Sequence, residues 1–122
     1  MKQIITLTLL LMTSVNLFAK DNGQVAIILG HKGGAHSEYF NPADMPEAYY
    51  DTNTEEIIIV ADGFSSYYDV DIVSQSTMQL VLYTTISGYG DNIDVSSLPD
   101  DNYTIVITSS NNNEYVGQFT NY

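Results

Sequence analysis

Between Tyr67 and Val73 side chains alternate with a period of two: Tyr68, Val70 and Ile72 fall on one side, Tyr67, Asp69 and Asp71 on the other. Only an extended strand sends successive side chains to opposite faces, so this run requires a sheet with one apolar and one wet face. The same grammar recurs along the chain. Tyr103, Ile105 and Ile107 share a parity, as do Ile93 and Val95, and Tyr115 and Phe119 flank Gly117. Between the runs lie turn formers: Asp62-Gly63, Ser74 to Thr77, Ser87 to Asp91, Leu98 to Asn102 and Asn111 to Asn113. Asn tolerates a positive φ better than other non-glycine residues, so the last of these reads as a hairpin.

Other runs are less explicit. Gln24 to Leu29 is a first strand and Pro46 to Tyr50 a short edge strand. Glu55 to Val60 is continuously apolar, which predicts a central strand buried on both faces. Met78 to Thr85 is a strand of ambiguous facing, because both parities are partly apolar. No segment after the N-terminus sustains a helical period. Seven to eight strands at roughly 8–12-residue spacing predict an all-β antiparallel sandwich or barrel. Leu98, followed by a polar turn and Tyr103, favours an immunoglobulin-like sandwich. The spacing fits a tyrosine corner, in which a core ring bonds upstream backbone through its hydroxyl; a plain core tyrosine fits it as well.

The N-terminus has a different character. Lys2, the apolar stretch Ile4 to Met12 and the end Leu17-Phe18-Ala19 predict a signal peptide over residues 1–19, cut after Ala19. A retained anchor is the alternative, but the apolar run is shorter than the roughly 20 residues a membrane helix needs. The expected organisation is a signal peptide at 1–19, an N-terminal strand and glycine-rich flexible connector at 20–45, and the sandwich at 46–122. Expected location is secreted or periplasmic, with no membrane attachment after cleavage.

Charge narrows the partners. The chain carries a net charge of −12, and loss of Lys2 makes it one unit more negative. Such a surface repels phosphate backbones and anionic headgroups, which excludes nucleic acid. With no cysteine, stability must come from burial alone. A domain of about 100 residues buries roughly two-thirds of its unfolded surface, which suffices.

The segment from Pro46 to Phe119 resembles a family of small secreted bacterial proteins, a domain of unknown function found mainly in gut Bacteroidales. Its carriers are Pro46-Glu47-Ala48-Tyr49-Tyr50, Tyr67-Tyr68-Asp69-Val70, Ile86-Ser87-Gly88, Ile93 to Pro99, Tyr103-Thr104-Ile105 and Tyr115 to Phe119. The resemblance implies an immunoglobulin-like sandwich outside the cytoplasm and supplies no catalytic or binding residues.

No nucleophile–base set stands out. His31 and His36, with Glu38, could clip a metal, yet a Gly-Gly connector is a poor supplier of the rigid support such a site needs. Asp69 and Asp71 lie roughly 6–7 Å apart along one strand face, a spacing that admits acid–base chemistry only inside a cleft. The turns Asp91 to Asp94 and Asp100 to Asn102 are oxygen-rich, but neither has the spacing of a calcium loop. No metal or cofactor is expected. The remaining clue is tyrosine: Tyr49 or Tyr50, Tyr67 and Tyr89 are candidates for exposure, where they could stack on sugars or anchor a protein partner. The expectation is an exported non-catalytic module binding protein or glycan, or serving structurally at the cell surface. An alternative is an assembly subunit that lends its N-terminal strand to a neighbour's sheet edge. A minimal hydrolase built on Asp69 and Asp71 ranks below both.

Overall fold

The structure, a computed structural model, describes residues 23–31 and 44–121. The expected signal peptide at 1–19 with its expected cut after Ala19, His36, Glu38 and most of the expected connector lie outside the described residues. Nine strands occur among those described. They are β1 (Gln24–Ile27), β2 (Gly30–His31), β3 (Glu47–Asp51), β4 (Glu56–Val60), β5 (Tyr67–Ser74), β6 (Leu80–Ser87), β7 (Gly90–Asp94), β8 (Asp101–Ser109) and β9 (Glu114–Asn121). One sheet has the order β1-β3-β4-β7 and the other β2-β9-β8-β5-β6, with every pairing antiparallel.

The clearest alternations in the sequence form the core. Tyr68, Val70 and Ile72 of β5 are fully buried, and so are Ile105 and Ile107 of β8. They face Ile57 and Ile59 of β4, with Ile93 and Val95 closing the opposite layer. Each such side chain contributes about 1.5–3 kcal/mol when taken fully out of water. The hairpin between β8 and β9 turns at Asn112, whose φ is 68°, as its residue type requires.

Four local expectations change. The run Gln24 to Leu29 is not one strand: β1 pairs with β3, the chain crosses the sandwich at Ile28 and Leu29, and β2 pairs with β9. Ile27 and Leu29 point inward while Ile28 is 81% exposed. The crossing passes close over Gly117, where a Cβ would stand 2.7 Å from Ile27 Cγ2 and 2.9 Å from the Ile28 carbonyl. The sandwich therefore begins at β1, before Pro46, and His31 belongs to a sheet and not to a loose connector. It also pairs in cis, so the lending of this strand to a neighbour is not needed to satisfy either sheet.

Second, β3 is interior, between β1 and β4, because the first run supplies the edge beside it. Third, β4 buries one face only: Ile57 and Ile59 are in the core, Ile58 is half-buried and Val60 is exposed. An antiparallel sandwich packs one face of each sheet, so continuous apolarity did not mean double burial. Fourth, the strand placed at Met78 starts at Leu80; Met78 has φ 61° and lies in the preceding turn.

The tyrosine corner is present. Tyr103 is buried, and its hydroxyl donates to the Pro99 carbonyl. Its ring stacks on Phe119 with centroids 5.4 Å apart, and Phe119 stacks in turn on Tyr50 at 5.6 Å. The Tyr50 hydroxyl donates to Asn121 Oδ1, and Asn121 Nδ2 donates to the carbonyls of Leu98 at 3.0 Å and Val95 at 3.5 Å. Burial raises the pKa of both Tyr50 and Tyr103. One end of the sandwich is thus closed by a neutral polar lock centred on Asn121.

Candidate functional site

At the opposite end the β4–β5 loop (61–66), the β6–β7 turn (88–89) and the β8–β9 hairpin (110–113) converge. Asp62 Oδ1 accepts the Phe64 amide at 3.1 Å, and Gly63 takes φ 87°, which together bend the β4–β5 loop back. Backbone bonds then stitch the loops together: the Gly63 amide to the Gly88 carbonyl at 3.0 Å, Gly88 to Ser66 at 3.1 Å, and Ser110 to Tyr67 at 3.0 Å. The approach is close enough that a Cβ on Gly88 would fall 1.8 Å from the Ser65 carbonyl oxygen.

Beneath these loops sits a residue that sequence reasoning missed. Asp44 is wholly buried. Its Oδ1 accepts the Ser65 hydroxyl and, at 3.4 Å, Asn111 Nδ2. Its Oδ2 accepts Asn113 Nδ2 at 2.8 Å and the Tyr115 hydroxyl at 3.3 Å. The Tyr68 hydroxyl donates to the Asp44 carbonyl at 2.8 Å. Burial by itself would raise the carboxyl's pKa, but the bonds from Asn113, Ser65, Ser109 and Asn111 together outweigh it and leave the pKa below the ordinary value. The Tyr115 hydroxyl moves the other way, raised by burial and then by the Asp44 charge; burial also raises Tyr68. A carboxylate this solvated by donors and closed to water is a poor proton shuttle. It is a fastener, joining one loop, one hairpin and two core strands.

What the fastened loops carry outward is aromatic. Phe64 is 50% exposed, Tyr67 45% and Tyr89 73%. The Tyr89 ring lies over Gly63, where a Cβ would meet its Cε1 and Cζ at 2.5 Å, so Gly63 is the residue that admits the ring. Of the four tyrosines singled out by sequence, Tyr67 and Tyr89 come together at this end. Tyr49 and Tyr50 do not. Tyr49 lies half-buried on the outer face of the four-stranded sheet, its hydroxyl donating to Glu47 Oε1 at 2.8 Å. Tyr50 is in the core and cannot contact a partner. Phe64, and the exposed Tyr83 on β6, went unnoticed; Phe64 has no alternating neighbours to mark it.

The other candidates are bound up locally. On the outer face of the five-stranded sheet, Asp69 Oδ1 accepts Thr85 Oγ1 at 2.7 Å and the Tyr83 hydroxyl at 3.2 Å. Asp94 caps the Ser96 amide at 2.9 Å, and Asp101 Oδ2 accepts Ser76 Oγ at 2.5 Å and Ser74 Oγ at 2.7 Å; both pKa values are lowered by these serine hydrogen bonds. His31 lies against the Tyr115 ring at 5.5 Å and within 3.3 Å of Asn113 Oδ1. Among the described residues no group of three or more His, Cys, Asp or Glu could hold a metal ion.

Known proteins bear on the architecture. The structure is similar to the crystal structure of a DUF3244 family protein with an immunoglobulin-like β-sandwich fold from Bacteroides vulgatus. The match has a TM-score of 0.65 and 14% sequence identity, and it covers 81% of this chain and 99% of the other. The fold is an immunoglobulin-like β-sandwich. That is the fold the sequence pattern predicts and the family resemblance implies. No protein-family profile matches the sequence, and no curated protein does. The similar protein belongs to a family whose function is itself unknown, so immunoglobulin-like sandwiches direct attention to their loop ends on physical grounds alone.

Proposed function

We propose that this protein is an exported, non-catalytic binding module that engages a protein or glycan partner through its aromatic loop end. One observation carries the reading: Phe64, Tyr67 and Tyr89 are exposed on or beside loops tied to a buried carboxylate. Aromatic side chains offer large contact area at small entropic cost, and a fixed backbone beneath them reduces what binding must order. The same rings suit the apolar face of a sugar or the hot spot of a protein interface. The leader-like N-terminus supports export, and the net charge of −12 disfavours nucleic acid as the partner.

Hydrolysis is disfavoured because the Asp69 carboxylate is engaged by the Tyr83 and Thr85 hydroxyls on the outer face of the sheet. The test is a glycan array and a cell-surface pull-down with the wild-type protein and the triple variant Phe64→Ser, Tyr67→Ser, Tyr89→Ser. Binding that the variant loses while retaining its melting temperature supports the proposal. Binding that survives the variant, or none to either class, overturns it.

A further inference from the structure

The four lateral edges of the sandwich are not alike. β1 has four residues and β2 has two, while β7 carries Asp91 and Asp94. Shortness and charge are the usual protections of a sheet edge against pairing with another chain. β6 has neither. It runs for eight residues, Leu-Val-Leu-Tyr-Thr-Thr-Ile-Ser, with no charge and no proline, in a chain holding fifteen acidic residues. Among the described residues it is terminal in its sheet, paired with β5 on one side only. A register shift disturbs its first residues, but from Leu82 to Ser87 the pairing with β5 is unbroken. Leu80 and Tyr83 are more than half exposed along it, at 56% and 58%.

We propose that β6 pairs antiparallel with β6 of a second copy of this chain, joining two five-stranded sheets across a two-fold axis. Directly opposed residues in an antiparallel pair share a face. Leu82, Thr84 and Ile86 oppose the buried Ile72, Val70 and Tyr68 of β5, whereas Tyr83 and Thr85 oppose Asp71 and Asp69 on the outer face. A two-fold axis through Thr84 preserves both sets: Tyr83 meets Thr85 of the partner subunit and Leu82 meets Ile86 of the partner subunit. No charge opposes another. The identical strand is self-complementary in the way a closed symmetric interface needs.

A second copy suits this edge better than a flexible peptide. Its β6 is already extended, whereas a disordered strand would lose backbone freedom at every residue it pairs. The acidic surfaces elsewhere repel at a distance, so added salt strengthens the pairing.

The test combines sedimentation velocity with amide hydrogen exchange on the purified protein, from about 1 µM to about 1 mM, at low and high salt. Expected is a monomer–dimer equilibrium favoured by salt, with β6 amides gaining protection as dimer forms. The double variant Tyr83→Lys, Thr85→Lys should weaken dimerisation at least ~10-fold, since positions 83 and 85 oppose each other across the two-fold axis and like charges then face in both pairs, with its melting temperature retained. Should the variant fail to fold, the concentration dependence of wild-type β6 exchange still decides. A monomer throughout the range, a dimer whose β6 amides stay unprotected, or a folded variant that dimerises like wild type overturns the proposal.

Discussion

The two ends of the sandwich are locked by different chemistry. At one end Asn121, a neutral amide, ties Tyr50 to the Val95 and Leu98 carbonyls beside the tyrosine corner. At the other, Asp44, an ionised carboxylate, gathers donors from Ser65, Asn111, Asn113 and Tyr115. The difference concerns what each lock must hold. Around Asn121 the fastened groups are Tyr50 of β3 and the link (95–100) that carries the chain from β7 in one sheet to β8 in the other. Around Asp44 they are the β8–β9 hairpin and the β4–β5 loop, which displays Phe64 and is joined by backbone bonds to the turn that carries Tyr89. A buried charge with several donors fixes geometry strongly, because any departure leaves the charge unsolvated.

That contrast ranks the expected effects of substitution. Asp44→Ala should be the most damaging, costing about 3–5 kcal/mol, since it strands the buried donors of Ser65, Asn113 and Tyr115 and leaves a void; chemical denaturation measures it. Asn121→Ala should cost about 1–3 kcal/mol, the penalty for leaving the Tyr50 hydroxyl and one carbonyl unpaired. A cost as large as that of Asp44→Ala would erase the distinction between the ends. Tyr103→Phe removes one hydroxyl bond while keeping the stacked ring, and should cost about 1 kcal/mol.

Acid sharpens the same comparison. The Asp44 pKa is lowered in the folded state, so its contribution is fully present above the unfolded-state value of about 4 and is lost as pH falls through the lower folded-state value. Asp44→Asn should therefore flatten part of the acid limb of the stability curve, whereas Asn121→Ala should leave the shape of that limb unchanged. The lowered values at Asp94 and Asp101 keep some acid dependence in every variant.

How much of this was legible in the sequence follows from the range over which each feature acts. The core faces of β5 and β8 were readable because alternation is a property of one strand alone. The tyrosine corner was readable because its bond spans four positions. The Asp44 lock was not, since its carboxylate partners lie 21 to 71 positions away and each of them passes for ordinary turn chemistry. Tyr49 and Tyr50 could not be sorted because adjacent identical residues carry no parity. Only the pairing of β3 with β4 turns Tyr50 inward. The first run looked like one strand because apolarity does not record a change of sheet at Ile28.

Amide hydrogen exchange on wild type and Asp44→Ala under native conditions tests the central claim most directly. If the buried carboxylate holds the aromatic loop end, the amides of Gly63, Gly88 and Ser110 lose protection in the variant while those of Gln75 and Leu98, at the far end, keep theirs. Equal loss at both ends, or no loss at the first three, would contradict it.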